Sequence, residues 1–592
     1  MMPEELDSFA RLLGTNYVPT NSETRQILNF LSHRLSELSR LDTEIDRLQA
    51  IIDDLYEQRD KARKFVDDHR ALLSPARRLP PEIVGEIFVH CLPTTHNAVK
   101  STTEAPLLLG RICSAWRNIS LLTPRLWSSI HLVIPIHHDA SKFNSIIQLR
   151  CKALKEWLGR SGTLPLSISL TTSNNGYCAH LSSAATPLME TLIQFSHRWN
   201  SIDLRVPYGL LQSFNVLTKD DVPCLEVIKI DDINWDRTQY FTQWHFSILD
   251  AAPRLHRVSF VLSQRDPRNL PLPWARLTEL SLETYRSASS LNSSEALAMV
   301  KQCPNLQSCA LGIYSSLPEG FMPPSELVTL PALHTLRLRT FPENSDDLTV
   351  IFDHIFTPSL VDLAVTAYTI QGFIWPSVPH VPFKSLLTHS SCPLERLTLS
   401  QNPISSEALI ECLHLIPTLT TLFVTDCSWA AGSEAPLPNR VPETSAILSD
   451  ELLRLLTATN SESADCLVPL LKSVKLSQCT AISDEVLIDF IESRWRRSLA
   501  VDMKAGVPRT TSAEVSGDPS GIETSRLTNV EVGFSRVMVV DILPRVRALR
   551  EEGLNIVVDY RLPDIYVDDS DSPWDGLPGH CQRDLLEGIR FA

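Results

Sequence analysis

The side chains able to do chemistry in this chain are present but not arranged for it. The 13 cysteines are scattered with no CxxC pair, so the close thiolate spacing of a zinc site is missing. No HExxH helix and no GxSxG nucleophile elbow occurs. Only 19 glycines are present, and none forms a phosphate-cradling loop. His137-His138 stands without an acidic or thiol partner at ligand spacing and reads as a surface pair. The expectation is a non-catalytic protein with no metal and no cofactor.

Composition narrows the alternatives. At 592 residues the chain exceeds one ordinary core and should hold several domains or a repeat array. Hydrophobic residues make up 43% and charged residues 21%, which is enough apolar surface to fold. A net charge of -15 argues against nucleic acid and anionic membrane as partners, since both need a positive field. Met1 to Asp7 is acidic without an apolar run, unlike a signal peptide. No apolar segment is long enough to span a bilayer. Scattered cysteines read as reduced thiols, so the expected compartment is cytoplasmic, nuclear or both.

Elements that could position a binding surface come next. Residues 22–70 lack Gly and Pro and are rich in helix formers, with Ser22 as a candidate N-cap. Leu31, Leu38, Ile45, Ile52 and Val66 form one heptad set, and Ile27, Leu41, Leu48, Leu55 and Ala62 the other. Arg34 and Arg59 interrupt the stripe. The pattern predicts a coiled-coil-like helix. Self-association through residues 27–66 and packing against the chain's own domains both remain open.

Ser74-Pro75 ends that helix. Leu79-Pro80-Pro81-Glu82-Ile83 starts a new one, whose apolar face carries Ile83, Val84, Ile87, Phe88, Cys91 and Leu92. Pro93 stops it, and a polar connection runs from Thr94 to Glu104. A second helix is expected from near Pro106 to Pro124, with Leu108, Leu109, Ile112, Cys113, Trp116 and Ile119. Pro124-Arg125-Leu126-Trp127 closes the segment. In this order the motifs resemble the F-box, in the divergent form common in large fungal families. The connection from Pro93 to Ile112 is longer and richer in Thr than in compact members.

The resemblance implies docking onto the Skp-type adaptor of a cullin–RING ubiquitin ligase. Leu79, Pro80, Ile83 and Ile87 would enter an apolar groove of the adaptor. Phe88, Leu92, Cys113 and Trp116 would hold the module's own helices together, and Ile112 joins the adaptor-binding set. No cysteine has the context of a ubiquitin-transfer nucleophile, so the chain would be a non-catalytic subunit.

Downstream a second pattern recurs: apolar, two variable residues, apolar, one variable residue, apolar. It occurs at Leu225-Ile228-Ile230, Leu255-Val258-Phe260, Leu277-Leu280-Leu282, Leu306-Cys309-Leu311 and Leu333-Leu336-Leu338. It continues at Leu360-Leu363-Val365, Leu394-Leu397-Leu399, Leu419-Leu422-Val424 and Leu471-Val474-Leu476, with Trp127-Ile130-Leu132 and Trp199-Ile202-Leu204 as degenerate members. The usual separation, about 22 to 34 residues, brackets the leucine-rich repeat period. Asn402, Cys427 and Cys479 stand where that family places its turn-fixing Asn or Cys, whereas Tyr285, Tyr314, Phe341 and Tyr368 stand there in earlier repeats. Helical returns are expected at Ser293–Leu297, Ser405–Leu409 and Ser483–Leu487. The wide gap after Leu419 suggests an inserted loop at Pro436–Pro442.

The fold expected is an α+β or α/β repeat: a coiled-coil-like helix, a helical F-box-like module, then a leucine-rich-repeat solenoid of parallel strands with helical returns. Expected bounds are a loose start at 1–21, the helix at 22–73, the module at 74–130, the solenoid at 131–500, a flexible loop at 501–528, and a cap with an acidic tail at 529–592. Outward positions on the strands give a candidate substrate face: Lys229, Asp231, Arg257, Glu279, Glu283, Arg337, Arg339, Asp362, Arg396, Phe423 and Lys475. The functional expectation is a substrate-recognition subunit of a ubiquitin ligase, binding a protein substrate on that face. The alternative is a ligase-independent interaction scaffold.

Overall fold

The computed structural model describes residues 13–135, 139–172, 183–232, 249, 252–262, 267–284, 290–314, 316–317, 326–340, 348–367, 383–400, 404–426, 447–458, 466–504 and 525–560. The chain divides into two compact units, Met1–Glu86 and Ile87–Ala592.

The first unit is dominated by α1, Asn21–Leu72, a single unbroken helix of 52 residues. Its cap lies two residues before the expected one. Thr20, not Ser22, closes the N-terminus: the Thr20 hydroxyl donates to Glu23 at 2.6 Å, and the Thr20 amide donates to the same carboxylate at 2.8 Å. The reciprocal Thr-x-x-Glu pairing satisfies amides that Ser22 could not reach. Pro75–Arg78 then forms a short 3-10 turn. Helix α2, Pro81–His90, follows and crosses into the second unit.

The expected single helix after Pro106 is instead two: α3, Leu109–Ile112, and α4, Ser114–Leu121. The break is at Cys113, whose backbone is extended (φ -158, ψ 169) and whose Sγ accepts the Trp116 amide at 3.4 Å. A residue that caps a new helix cannot also continue the old one.

The rest of the second unit is an α/β repeat built on one 14-stranded, wholly parallel sheet. Its strands are β1 Ser129–Ile134, β2 Leu166–Thr172, β3 Trp199–Val206, β4 Val227–Asp232, β5 Arg257–Leu262, β6 Glu279–Thr284 and β7 Ser308–Ile313. The later ones are β9 Thr335–Thr340, β11 Asp362–Ala367, β12 Arg396–Ser400, β13 Thr421–Thr425, β14 Ser473–Cys479, β15 Asn529–Phe534 and β16 Asn555–Asp559. Two short strands, β8 Val328–Thr329 and β10 Ile355–Phe356, pair separately.

Strand order follows chain order, so each repeat bonds only to its neighbours. Register aligns the apolar motif positions. Leu336, Leu363, Leu397, Leu422 and Val474 share one ladder, and Leu338, Val365, Leu399, Val424 and Leu476 the next but one. All of these are buried. Both tryptophan-led members, at Trp127 and Trp199, join the sheet as β1 and β3. Two strands lie beyond the expected repeats. Leu527-Val530-Val532 has the same spacing and supplies β15, while Leu554 and Ile556 anchor β16.

Behind the sheet the chain returns through helices and 3-10 turns. Asn292, rather than a serine, caps Ser293–Val300 in a capping box with Glu295, and Ser405 caps Ser406–His414. The long α5, Ala140–Arg160, covers β1 through Phe143, Ile147, Leu154 and Trp157.

Candidate protein-interaction surfaces

Helix α2 has two unlike faces. Val84 and Phe88 are buried. Ile83 and Ile87, also one turn apart, are 49% and 45% exposed. The Phe88 ring packs on Trp116 with centroids 4.9 Å apart, which ties α2 to α4. Leu79 is exposed, and Leu92 is half-buried. On the following turn Leu108 and Ile112 are exposed too. Cys113 is exposed and holds no helices together, so the core role expected for it is replaced by the capping role above. Together with Leu79, Leu108 and Ile112, the isoleucine pair is apolar surface that no described residue covers.

The module's end is locked to the sheet. The buried Trp127 donates through Nε1 to the Ser120 carbonyl at 2.8 Å. Its ring meets Trp157 of α5 edge-on at 4.8 Å, and the Arg160 guanidinium lies over it at 4.6 Å.

The long connection after Pro93 has a structural task that its sequence concealed. Val99 runs parallel to His131 of β1, and the His131 amide donates to the Ala98 carbonyl at 2.8 Å. Ala98 and Val99 are both fully buried. Asn97 reaches past β1 to donate to the Ser169 hydroxyl of β2 at 3.1 Å. The connection thus covers the first edge of the sheet, where unpaired amides and carbonyls would otherwise invite another strand. Its only sequence signal is the apolar pair Ala98-Val99 inside a polar run. A cavity of about 240 Å³ between β1 and α5, lined by Lys100, His131, Arg150 and Trp157 among others, is smaller than ordinary small-molecule pockets.

All the outward positions singled out on the strands do share one sheet face, on alternate residues from the buried ladders. They are mostly paired with one another. Arg257 meets Glu279 at 3.2 Å, and Arg205 meets Asp231 at 3.4 Å. Arg337 and Arg396 share one oxygen of Asp362, at 3.4 and 3.5 Å. Lys475 meets Glu531 at 2.8 Å and lies 5.4 Å from the Phe423 ring centre. Arg339 pairs with Glu283. The face therefore neutralises itself from strand to strand. Around Asp362 two guanidiniums rest on one carboxylate, and Glu395 lies 4.0 Å from the Arg396 guanidinium, so the sum there is neutral as well.

Sequence periodicity gives no hint of a third feature. Asp484, a first-turn acid of a return helix by its place in the sequence, has a fully covered side chain. It accepts from Arg536 at 2.6 Å, from the Val539 and Val540 amides at 2.8 Å each, and from the Tyr560 hydroxyl at 2.9 Å. Burial works against the charged form. The Arg536 guanidinium, the two amides and Tyr560 overcome it and hold the carboxyl down to about 2. Tyr560 also stacks on Phe534 at 4.6 Å. This network fastens the last repeats together. Only proximity in space reveals it, since its members span residues 484 to 560.

His137-His138, Asn402, Cys427, Tyr285, Phe341, Tyr368, the Pro436–Pro442 insertion and most of the expected 501–528 loop lie outside the described residues, as does the acidic tail. Cys479 ends β14, is buried, and offers its carbonyl to the Ser535 amide at 3.1 Å. Tyr314 turns its ring over Gly312. Among the described residues no group of three His, Cys, Asp or Glu could hold a metal ion. Among them, too, no helix is long and apolar enough to cross a membrane. No family model matches the chain, and no curated protein matches it.

Proposed function

We propose that this chain is a substrate-recognition subunit of a cullin–RING ubiquitin ligase. In this reading residues 79–127 are an F-box-like module that docks on a Skp-type adaptor, and the repeats are leucine-rich repeats whose sheet face holds a protein substrate. The observation that carries the proposal is on α2. Ile83 and Ile87 face solvent while Val84 and Phe88 face the core, so the apolar contact surface is separable from the fold. The chain's role is positioning: it brings a substrate lysine near a ubiquitin-charged enzyme supplied by the complex, and it contributes no catalytic group.

The deciding experiment is co-purification of the full chain with a Skp-type adaptor, wild type against Ile83→Asp combined with Ile87→Asp. Capture by the wild type and loss in the double variant support the reading. Failure of the wild type to capture adaptor rejects it and leaves the scaffold reading, in which α1 and the sheet face bind proteins without a ligase.

A further inference from the structure

Among the described residues none covers most of the apolar stripe of α1, whose exposure runs from 42% at Leu31 to 60% at Ile45, with Leu38, Leu41, Leu48, Ile52, Leu55 and Val66 between those values. We infer that its occupant is a second copy of this chain, and that the two helices pair antiparallel. The inference is independent of the adaptor reading.

Charge selects the direction. In heptad terms Leu31, Leu38, Ile45, Ile52, Arg59 and Val66 are a positions, and Ile27, Arg34, Leu41, Leu48, Leu55 and Ala62 are d positions. A parallel, in-register pair stacks each layer on itself. Arg34 would meet Arg34 and Arg59 would meet Arg59. On the flanks, Glu37 at g would meet Asp42 at e of the other helix. Every charged meeting in that arrangement is between like charges. Arg34 is held by Glu37 and Arg59 by Asp60 within their own helix, each at 2.8 Å. This softens the two arginine layers but leaves the Glu37 against Asp42 repulsion in place.

Antiparallel pairing sets a against d, g against g and e against e. Complete overlap of the two helices still puts Arg34 against Arg59. A slide of one heptad that drops the C-terminal turns sets Asp42 against Asp42 and Glu44 against Glu44. The opposite slide has none of these conflicts. Leu38 then faces Ala62, Ile45 faces Leu55, and Ile52 faces Leu48. Arg59 lies over Leu41, beside Asp42 of the other copy, and Arg34 lies over Val66. At the two-fold axis Ile51 meets Ile51 and Gln49 meets Gln49. A further slide of one heptad also avoids like-charge contact but leaves Leu31 and Arg34 outside the pair, so among the conflict-free registers this one buries the longest stretch of the stripe.

The consequence is geometric. The Leu72 ends of the two helices lie about 66 Å apart at 1.5 Å per residue. Whatever follows each helix is held at opposite ends of the pair rather than side by side.

The test uses the full chain carrying Leu38→Cys and Ala62→Cys, oxidised mildly and mapped by mass spectrometry, with molar mass by light scattering across a dilution series. In one helix these positions lie about 36 Å apart, too far for a disulfide. The expected result is a dimeric mass with a disulfide joining the L38C thiol of one copy to the A62C thiol of the other. A monomeric mass overturns the inference. So does a dimer in which each introduced thiol is linked to its own counterpart, which reports parallel helices, and so does a dimer with no link between the introduced thiols. Both substitutions lie on exposed helix surface, and the wild-type mass controls for any loss of folding.

Discussion

Arg339 of β9 pairs with Glu283 of β6 across the strand that lies between them. The gap is Gly312 of β7, which sits opposite Arg339 in register. With no side chain there, the arginine spans two strand spacings and Tyr314 folds its ring over the same place. A Cβ at Gly312 would lie 2.5 Å from that ring. The expected outcome of Gly312→Val is displacement of Tyr314 with a loss of about 1–3 kcal/mol, the scale of overpacking. Glu283→Gln, which removes only the ion pair, should cost less than about 1 kcal/mol. Denaturant midpoints compare the two directly.

The two faces of α2 should separate docking from folding. Ile83→Asp with Ile87→Asp is expected to leave the unfolding midpoint within about 0.5 kcal/mol of wild type, because both side chains already face solvent. Phe88→Ala should cost about 3–5 kcal/mol, since it removes a wholly buried ring from its contact with Trp116. Thermal unfolding of the two variants, run alongside adaptor capture, tests whether the surfaces are distinct.

Covering of the sheet's first edge makes its own prediction. Val99→Asp places a charge where the side chain is fully buried, and the expected loss is on the order of 3 kcal/mol or more. Amide exchange at His131, whose N–H is bonded to Ala98, should accelerate. Protection at β13 and β14 should not change, because those strands belong to distant repeats.

Asp484 predicts an acid dependence. Its carboxyl is held at about 2 when folded, against an ordinary value of 3.8. A depressed carboxylate stabilises the fold above the unfolded value and loses that contribution as pH falls through the folded one. Stability from this network should therefore be complete above about pH 4 and vanish toward pH 2. Asp484→Asn should lose on the order of 1–3 kcal/mol at neutral pH and flatten that acid limb. Chemical denaturation at a series of pH values measures both.

Thiol reactivity should follow burial. Cys91 and Cys113 are exposed, while Cys303, Cys309, Cys412 and Cys479 are buried. Burial pushes Cys303 and Cys479 up to about 12, and Cys309 and Cys412 upward as well. Alkylation of the native protein near pH 8, mapped by peptide mass, should label the first two and spare the last four until denaturant is added.

What the sequence settled by itself was periodic. A heptad free of Gly and Pro specifies a long helix over α1, and a recurring three-then-two apolar spacing specifies parallel strands in register, because both patterns repeat the geometry of the backbone that carries them. The strand at Leu527-Val530-Val532 obeys the same rule and was legible in principle. What only the tertiary structure decided was non-periodic. Cys113 breaks a helix because its thiol caps the next one. Ala98-Val99 leaves a polar loop to pair with β1, and Asp484 gathers donors from as far along the chain as Tyr560. The outward charges on the strands could be placed on one face from the alternation of side chains. Their mutual neutralisation could not, because it depends on which strands become neighbours and on Gly312 leaving room between two of them.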